Sequence, residues 1–221
     1  MTTSRSILVA AVLAGWFSIV LGAGHAGLFE AGPGRPPLGV LIAIVTPLLL
    51  FAVLYRASGA FRRWVLGVDL RFLTLVQSWR VVGVMFLALY AFGLLPGLFA
   101  WPAGVGDALV GLSAPFVLRA MVRGEPGWRR RVIGLNVAGL VDFVVALATG
   151  VLTSPSSIGW FADATPRASL GALPLSLVPT FAVPLWTIFH VISLVQLGRS
   201  ESQQQNFTIC THALDTARAS S

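Results

Sequence analysis

Lysine is absent from this 221-residue chain, and all 15 basic residues are arginine. That removes a lysine Schiff base, a retinal linkage and the phosphate-gripping lysine of a P-loop. Cysteine occurs once, as Cys210, which excludes an internal disulfide; with three histidines it also excludes a cysteine-rich metal site. Charge of either sign is scarce, at 10% of residues, where a soluble globular domain carries about a quarter. Meanwhile 56% of the chain is apolar and the mean hydropathy is +0.85. A chain of this composition cannot clothe itself for water, and it reads as an integral membrane protein. Its length suits one compact bundle.

Six apolar runs are long enough to cross about 30 Å of hydrocarbon as helices. They cover residues 6–28, 38–55, 75–99, 103–122, 132–153 and 173–197. Unpaired backbone groups cannot face lipid, so each run should be helical. None shows the period-two alternation of a barrel strand. The expected fold is therefore all-α: a bundle of six transmembrane helices over residues 1–199, followed by a polar, disordered tail at 200–221.

Arginine placement sets the sidedness. Arg5 precedes the first run, Arg56, Arg62, Arg63 and Arg71 lie between the second and third, and Arg119, Arg123, Arg129, Arg130 and Arg131 surround the turn between the fourth and fifth. Arg199 and Arg218 follow the sixth, whereas the alternate loops hold only Arg35 and Arg167. Both termini should face the cytoplasm. The sequence pI near 11.4 then needs no nucleic-acid partner, because the arginines separate apolar runs and do not line one amphipathic face. The expected partners are the lipid bilayer and further membrane subunits or copies of the chain. The Arg-only, Ala/Gly-rich composition suggests the inner membrane of a GC-rich bacterium.

Two segments carry alternatives. The first run has the layout of a secretory signal peptide, with Arg5, an apolar core and Gly24-His25-Ala26 as a small-x-small site, although it is long for one. Residues 57–79 read as an interfacial amphipathic segment with Phe61, Trp64, Val65 and Val68 against the bilayer. In the tail, Asn206-Phe207-Thr208 matches a glycosylation sequon, and Cys210 with His212 is a weak metal pair.

An ionisable group at membrane depth costs about 2.5 to 3.5 kcal/mol and asks for a partner. Arg80, Asp107, Asp142 and His190 qualify, with Gln77 and Asn136 as uncharged companions. Counted from the cytoplasmic ends of their runs, Arg80, His190 and Asp142 lie about 8, 10 and 15 Å deep. These three should meet, with Asn136 completing their hydrogen bonds. Asp107 is expected to cap the start of the fourth run in a Gly/Pro-rich hairpin over 93–107, entering from the opposite face and too far away to join them. Small residues recur at i+4 in the fifth run (Gly134, Ala138, Asp142, Ala146, Gly150) and in the first (Ala14, Ser18, Gly22, Ala26), which predicts close helix packing along both stripes. Pro174, Pro179 and Pro184 should kink or break the sixth run.

These residues support a small transporter or channel-like protein, more a carrier than an enzyme, with a proton or ion relay through Asp142, Arg80 and His190 and no cofactor. A structural or assembly subunit is the rival reading, the ion pair then only fixing helix register. Gly104-x-Gly106-Asp107 also matches the GxGD signature of intramembrane aspartyl proteases, with Asp142 as the second carboxylate. Haem b would need two axial histidines, and His25 and His190 lie at the wrong depths to provide them.

Overall fold

A computed structural model of the chain describes residues 3–32, 34–155, 160–161 and 169–199. The expected tail at 200–221, with its sequon and Cys210, lies outside the described residues. The described chain is all-α, without a strand. Its helices are α1 (Thr3–His25), α2 (Leu38–Ala57), the short α3 (Gly59–Leu66), α4 (Leu70–Ala91), α5 (Gly97–Val122), α6 (Trp128–Leu152) and α7 (Val178–Arg199). All but α3 are long and apolar enough to cross a membrane. Outward-facing Ile19, Phe116 and Val144 are each about two-thirds exposed or more, the inverse of a water-facing surface.

Local chemistry sets the helix ends. Ser58 caps α3 by accepting from the Phe61 amide at 3.2 Å, and the Asp69 carboxylate accepts from the Arg71 amide at 2.8 Å to start α4. Gly93 and Gly124 take the left-handed conformation just past α4 and α5. There the amides of Leu94 and Glu125 donate back to Leu89 and Ala120, which closes two Schellman turns.

The boundaries around the α4–α5 turn differ from expectation. The third and fourth runs, read as 75–99 and 103–122, are helices Leu70–Ala91 and Gly97–Val122, and the hairpin over 93–107 shrinks to the residues between them. Pro102 and the glycines at 104 and 106 lie inside α5, where glycine serves close packing and does not break the helix.

The core sits among α4, α5, α6 and α7. Phe86, Leu95, Phe99, Ala100, Ala103 and Leu175 form one buried apolar cluster in the half of the bundle nearer the α4–α5 turn. Helices α1 and α2 are peripheral: α2 buries no residue, and α1 reaches α7 through Trp16 and Phe17 against Phe181, with ring centroids 4.7 and 5.2 Å apart. The segment expected at an interface packs on protein instead. Val65 of α3 is buried with Leu73 and Ile192, and Phe61, Trp64 and Val68 close around them. The expected sixth run from 173 is helical only from about Val178: Pro174 lies in the turn before α7, Pro179 in a π-helical turn over Val178–Ala182, and Pro184 in the α-helix that continues from it.

The small-residue stripe of α1 does not pack as expected, and that of α6 packs only over Asp142, Ala146 and Gly150. Ala14, Ser18, Gly22 and Ala26 are all exposed, as are Gly134 and Ala138. A strict i+4 series advances about 40° beyond a full turn at each step, so a five-residue stripe wanders about 160° around the helix. The inward face of α6 instead follows Val132, Leu135, Asn136, Gly139, Phe143 and Gly150.

Where α5 crosses α4, a Cβ on Gly111 would lie 2.5 Å from the Val81 nitrogen and 3.1 Å from the Arg80 carbonyl carbon. Gly111→Ala is therefore expected to destabilise the protein by about 1 to 3 kcal/mol. A methyl on Gly134 would meet nothing within 4 Å, and Gly134→Ala should be neutral or stabilising by up to about 1 kcal/mol. Thermal unfolding of the two variants in detergent checks this, and equal midpoints would contradict the helix contact.

Candidate functional site

The middle of α4 is a 3₁₀-helix over Val76–Val84 whose buried residues are Gln77, Arg80 and Gly83. Side chains at i and i+3 eclipse in such a helix, so these three form one column. Arg80 is the eleventh of 22 residues in α4, Asp107 the eleventh of 26 in α5, Asp142 the fifteenth of 25 in α6 and His190 the thirteenth of 22 in α7. All four thus stand near the mid-height of their helices.

Arg80 organises the site. Its Nε donates to Asp107 Oδ1 at 2.7 Å, and its Nη2 donates to Asp142 Oδ2. Its Nη1 donates to the Gly139 carbonyl and to His190 Nε2, both at 3.2 Å. The guanidinium carbon lies 4.0 Å from the centroid of the Phe143 ring, so an aromatic face covers the plane while the edges are hydrogen-bonded. The side chain is 3% exposed, against 16% for Asp107 and 9% for Asp142.

The histidine arm has a fixed polarity. A guanidinium only donates, so His190 Nε2 accepts and its Nδ1 carries the proton. Nδ1 donates at 2.8 Å to Asn136 Oδ1, and Asn136 Nδ2 donates at 2.8 Å to the Val132 carbonyl. The arm runs from Arg80 through His190 and Asn136 to a backbone oxygen and ends there.

Three glycines make the assembly possible. A Cβ on Gly83 would run into the Asp107 carboxylate, and one on Gly106 into the Asp142 carboxylate. A Cβ on Gly139 would lie 2.5 Å from His190 Cε1 and 2.7 Å from Arg80 Nη1. Each glycine vacates the space that one side chain of the site fills.

Asp142, Arg80, His190 and Asn136 thus form one hydrogen-bonded group. Gln77 stands one turn from Arg80 in the column, fully buried, and neither amide atom has a hydrogen-bond partner in the structure. Asp107, expected at a helix cap and out of reach, is a direct partner of Arg80. The reason is the earlier start of α5, which carries Asp107 about 15 Å into the helix. Likewise α4 begins five residues before the expected run, so Arg80 sits at mid-height instead of about 8 Å deep. Phe143, Gly83, Gly106 and Gly139 are not legible from the sequence as site residues. Gly139 and Phe143 lie one position away from the i+4 stripe, and Gly106 stands out only as one of the GxGD letters.

Chemically, one cation faces two carboxyls. Nε and Nη2 lie on the same edge of a guanidinium with nearly parallel N–H bonds, so the carboxyls of Asp107 and Asp142 stand side by side. With both ionised, the centre carries one excess negative charge in an apolar surround. Among the described residues no three His, Cys, Asp or Glu side chains group as a metal site.

Fold and site together define an all-helical protein with a charged centre among helices apolar enough for a membrane. The chain belongs to the family described as a domain of unknown function, DUF8737, whose model matches residues 37–198. That match spans α2 to α7, every residue of the centre included, and leaves α1 outside. No curated protein and no solved structure matches the chain.

Removing one partner of a buried charge group is far more costly than removing all of them. Arg80→Met is expected to destabilise by about 3 to 5 kcal/mol, because two buried carboxyls lose their cation. Adding Asp107→Asn and Asp142→Asn should restore most of that loss. Unfolding midpoints in detergent decide it, and a triple variant no more stable than Arg80→Met would break the assignment of the three as one unit.

Proposed function

We propose that the chain is a six-span protein of a bacterial inner membrane, with both termini in the cytoplasm, that carries protons or a proton-coupled solute through the Asp107–Arg80–Asp142 centre. The observation that carries this reading is the pairing of two adjacent carboxyls with one guanidinium at the mid-height of four apolar helices. One proton shared between the carboxyls brings the centre to neutrality. Its loss leaves a net negative charge where few polar groups can compensate it.

Proton occupancy is then coupled to packing. With both aspartates ionised, Arg80 ties α5 and α6 to α4. With one protonated, one of those ion pairs becomes a weaker hydrogen bond, and its helix is freer to shift. His190 and Asn136 orient the guanidinium in this scheme and do not pass the proton on, because a proton on Nε2 would face an Arg80 N–H. The distribution of arginines along the chain supports the orientation.

A second reading, an assembly subunit, is favoured by the exposed small-residue stripe of α1 and by the absence of any buried residue in α2, both of which leave helix faces for another membrane protein. The aspartyl protease reading fares less well. Its dyad holds one proton and an attacking water between two carboxyls, whereas here both carboxyls hold a guanidinium.

Flux measured with a pH-sensitive dye in proteoliposomes tests the leading reading. Asp142→Asn and Asp107→Asn should each cut pH-driven flux about tenfold or more while the fold survives, since Arg80 keeps one carboxylate. Wild-type flux in both variants refutes it, and recovery of a stoichiometric membrane partner would favour the assembly reading. Reporter fusions at residue 221 and in the loop between α6 and α7 should report opposite sides, with residue 221 inside; the reverse result overturns the orientation.

A further inference from the structure

Gln77 is 0% exposed, and neither its amide oxygen nor its amide nitrogen has a hydrogen-bond partner in the structure. An orphaned amide at such a position is costly, by about 1 to 3 kcal/mol, unless something polar meets it. It lies one 3₁₀ turn, about 6 Å along the axis, from Arg80 and on the same buried column. With six crossings, the start of α4 is on the same side as the chain termini, so Gln77 stands between the centre and that side.

The single buried donors Ser78 Oγ, beside Gln77, and Trp186 Nε1, one turn before His190, also lack a partner, so Gln77 is the one full amide left unmet there among the described residues. Several other polar groups near the centre are already committed. Asn136 uses both ends of its amide on His190 and Val132, and Ser193 and Thr74 donate to the Phe189 and Leu70 carbonyls of their own helices. In the opposite half the core near the centre is the apolar cluster of Phe86, Phe99, Ala100 and Ala103. The buried Ser176 hydroxyl, also without a partner, is fourteen residues along the chain from His190, about 20 Å along a helix, and too far to serve the centre.

We propose that Gln77 holds water against the centre, so that protons enter and leave the Asp107–Arg80–Asp142 group from the side of the chain termini. The ligand is water or hydronium: the amide oxygen accepts from it and the amide N–H donates to it. Hydronium gives one proton to an aspartate carboxylate, leaving water and a carboxylic acid. This rests on the proton-carrying reading for its purpose, but the water site itself can be tested separately.

Two measurements separate the two claims. The first uses Ag⁺ on the Gln77→Cys variant in a Cys210→Ser background, scoring how far silver blocks later alkylation of the denatured protein. The thiol should react from the termini side at least about tenfold faster than from the other, and an Ala103→Cys control within the apolar cluster should stay unreactive. A Gln77→Cys variant that does not react, or that reacts faster from the opposite side, overturns the proposal.

The second measures flux and stability of Gln77→Leu, with Gln77→Met in its place where the leucine variant does not fold. Flux should drop about tenfold while the unfolding midpoint stays level or rises, an outcome a merely structural glutamine would not give. Flux that depends on Asp142 but ignores Gln77→Leu defeats this proposal and leaves the proton-carrying reading intact. Silver reactivity as expected, without any flux that depends on Asp142, does the reverse.

Discussion

A guanidinium carries its charge at any ordinary pH and presents five N–H donors in a rigid plane. Arg80 is 5% exposed at the centre of a helix whose neighbours are otherwise apolar, so its donors have to be met by protein. Four of them are, from three different helices: Asp107 on α5, Asp142 and the Gly139 carbonyl on α6, and His190 on α7. Arg80 thus ties four helices together at one height. Hydrophobic burial has little power to hold helices together in lipid, where tails are as apolar as leucine. In such a setting a hydrogen-bonded charge group can fix which helices are neighbours and in what register.

Holding the group together also depends on what is not there. The 3₁₀ winding of Val76–Val84 brings Arg80 and Gly83 onto one line, and the bare α-carbon of Gly83 admits the Asp107 carboxylate beside the guanidinium. Gly106 does the same for Asp142, and Gly139 lets α6 approach closely enough for its own carbonyl to accept from Arg80. A run of nine residues in 3₁₀ geometry is long for a form with poorer hydrogen bonds. The close fit of polar side chains to glycine offers a physical reason for it, since an α-helical turn would rotate Gln77 and Gly83 away from Arg80 by about 60° each.

The six apolar helices can be read from the sequence because hydrocarbon thickness imposes a length and a composition that survive errors of several residues. The convergence of Arg80, Asp142, His190 and Asn136 is legible for a related reason: isolated charges are rare in such runs, and depth along a helix is simple to count. Asp107 is hidden by a boundary. Gly97, Pro102, Gly104 and Gly106 have the letters of a turn, and only the packing of α5 on α4 shows them to be helical. The inward face of α6 is hidden because spacing at i+4 matches a helix only over a turn or two, so Gly134 and Ala138 drift outward while Gly139 and Phe143 face Arg80. Gln77 is visible as a polar residue at depth, but its lack of a partner is a property of the three-dimensional arrangement.

A role confined to fixing register would be served by one aspartate for one arginine. The centre has two, side by side on a single edge of the guanidinium, and in a membrane the second would add an insertion cost of about 2.5 to 3.5 kcal/mol without a cation of its own. His190 and Asn136 do not offset it, because their hydrogen bonds run outward from Arg80 to a backbone carbonyl. The unbalanced carboxyl is the feature on which the proposed proton-carrying role rests. It lies in the part of the chain that defines the family, between residues 37 and 198, while α1, with its exposed small-residue stripe, lies outside. Charge imbalance and helix packing therefore reside in the same four helices, so under the proposed role a proton taken up or released at Asp107 or Asp142 would act directly on the contacts that hold them in register.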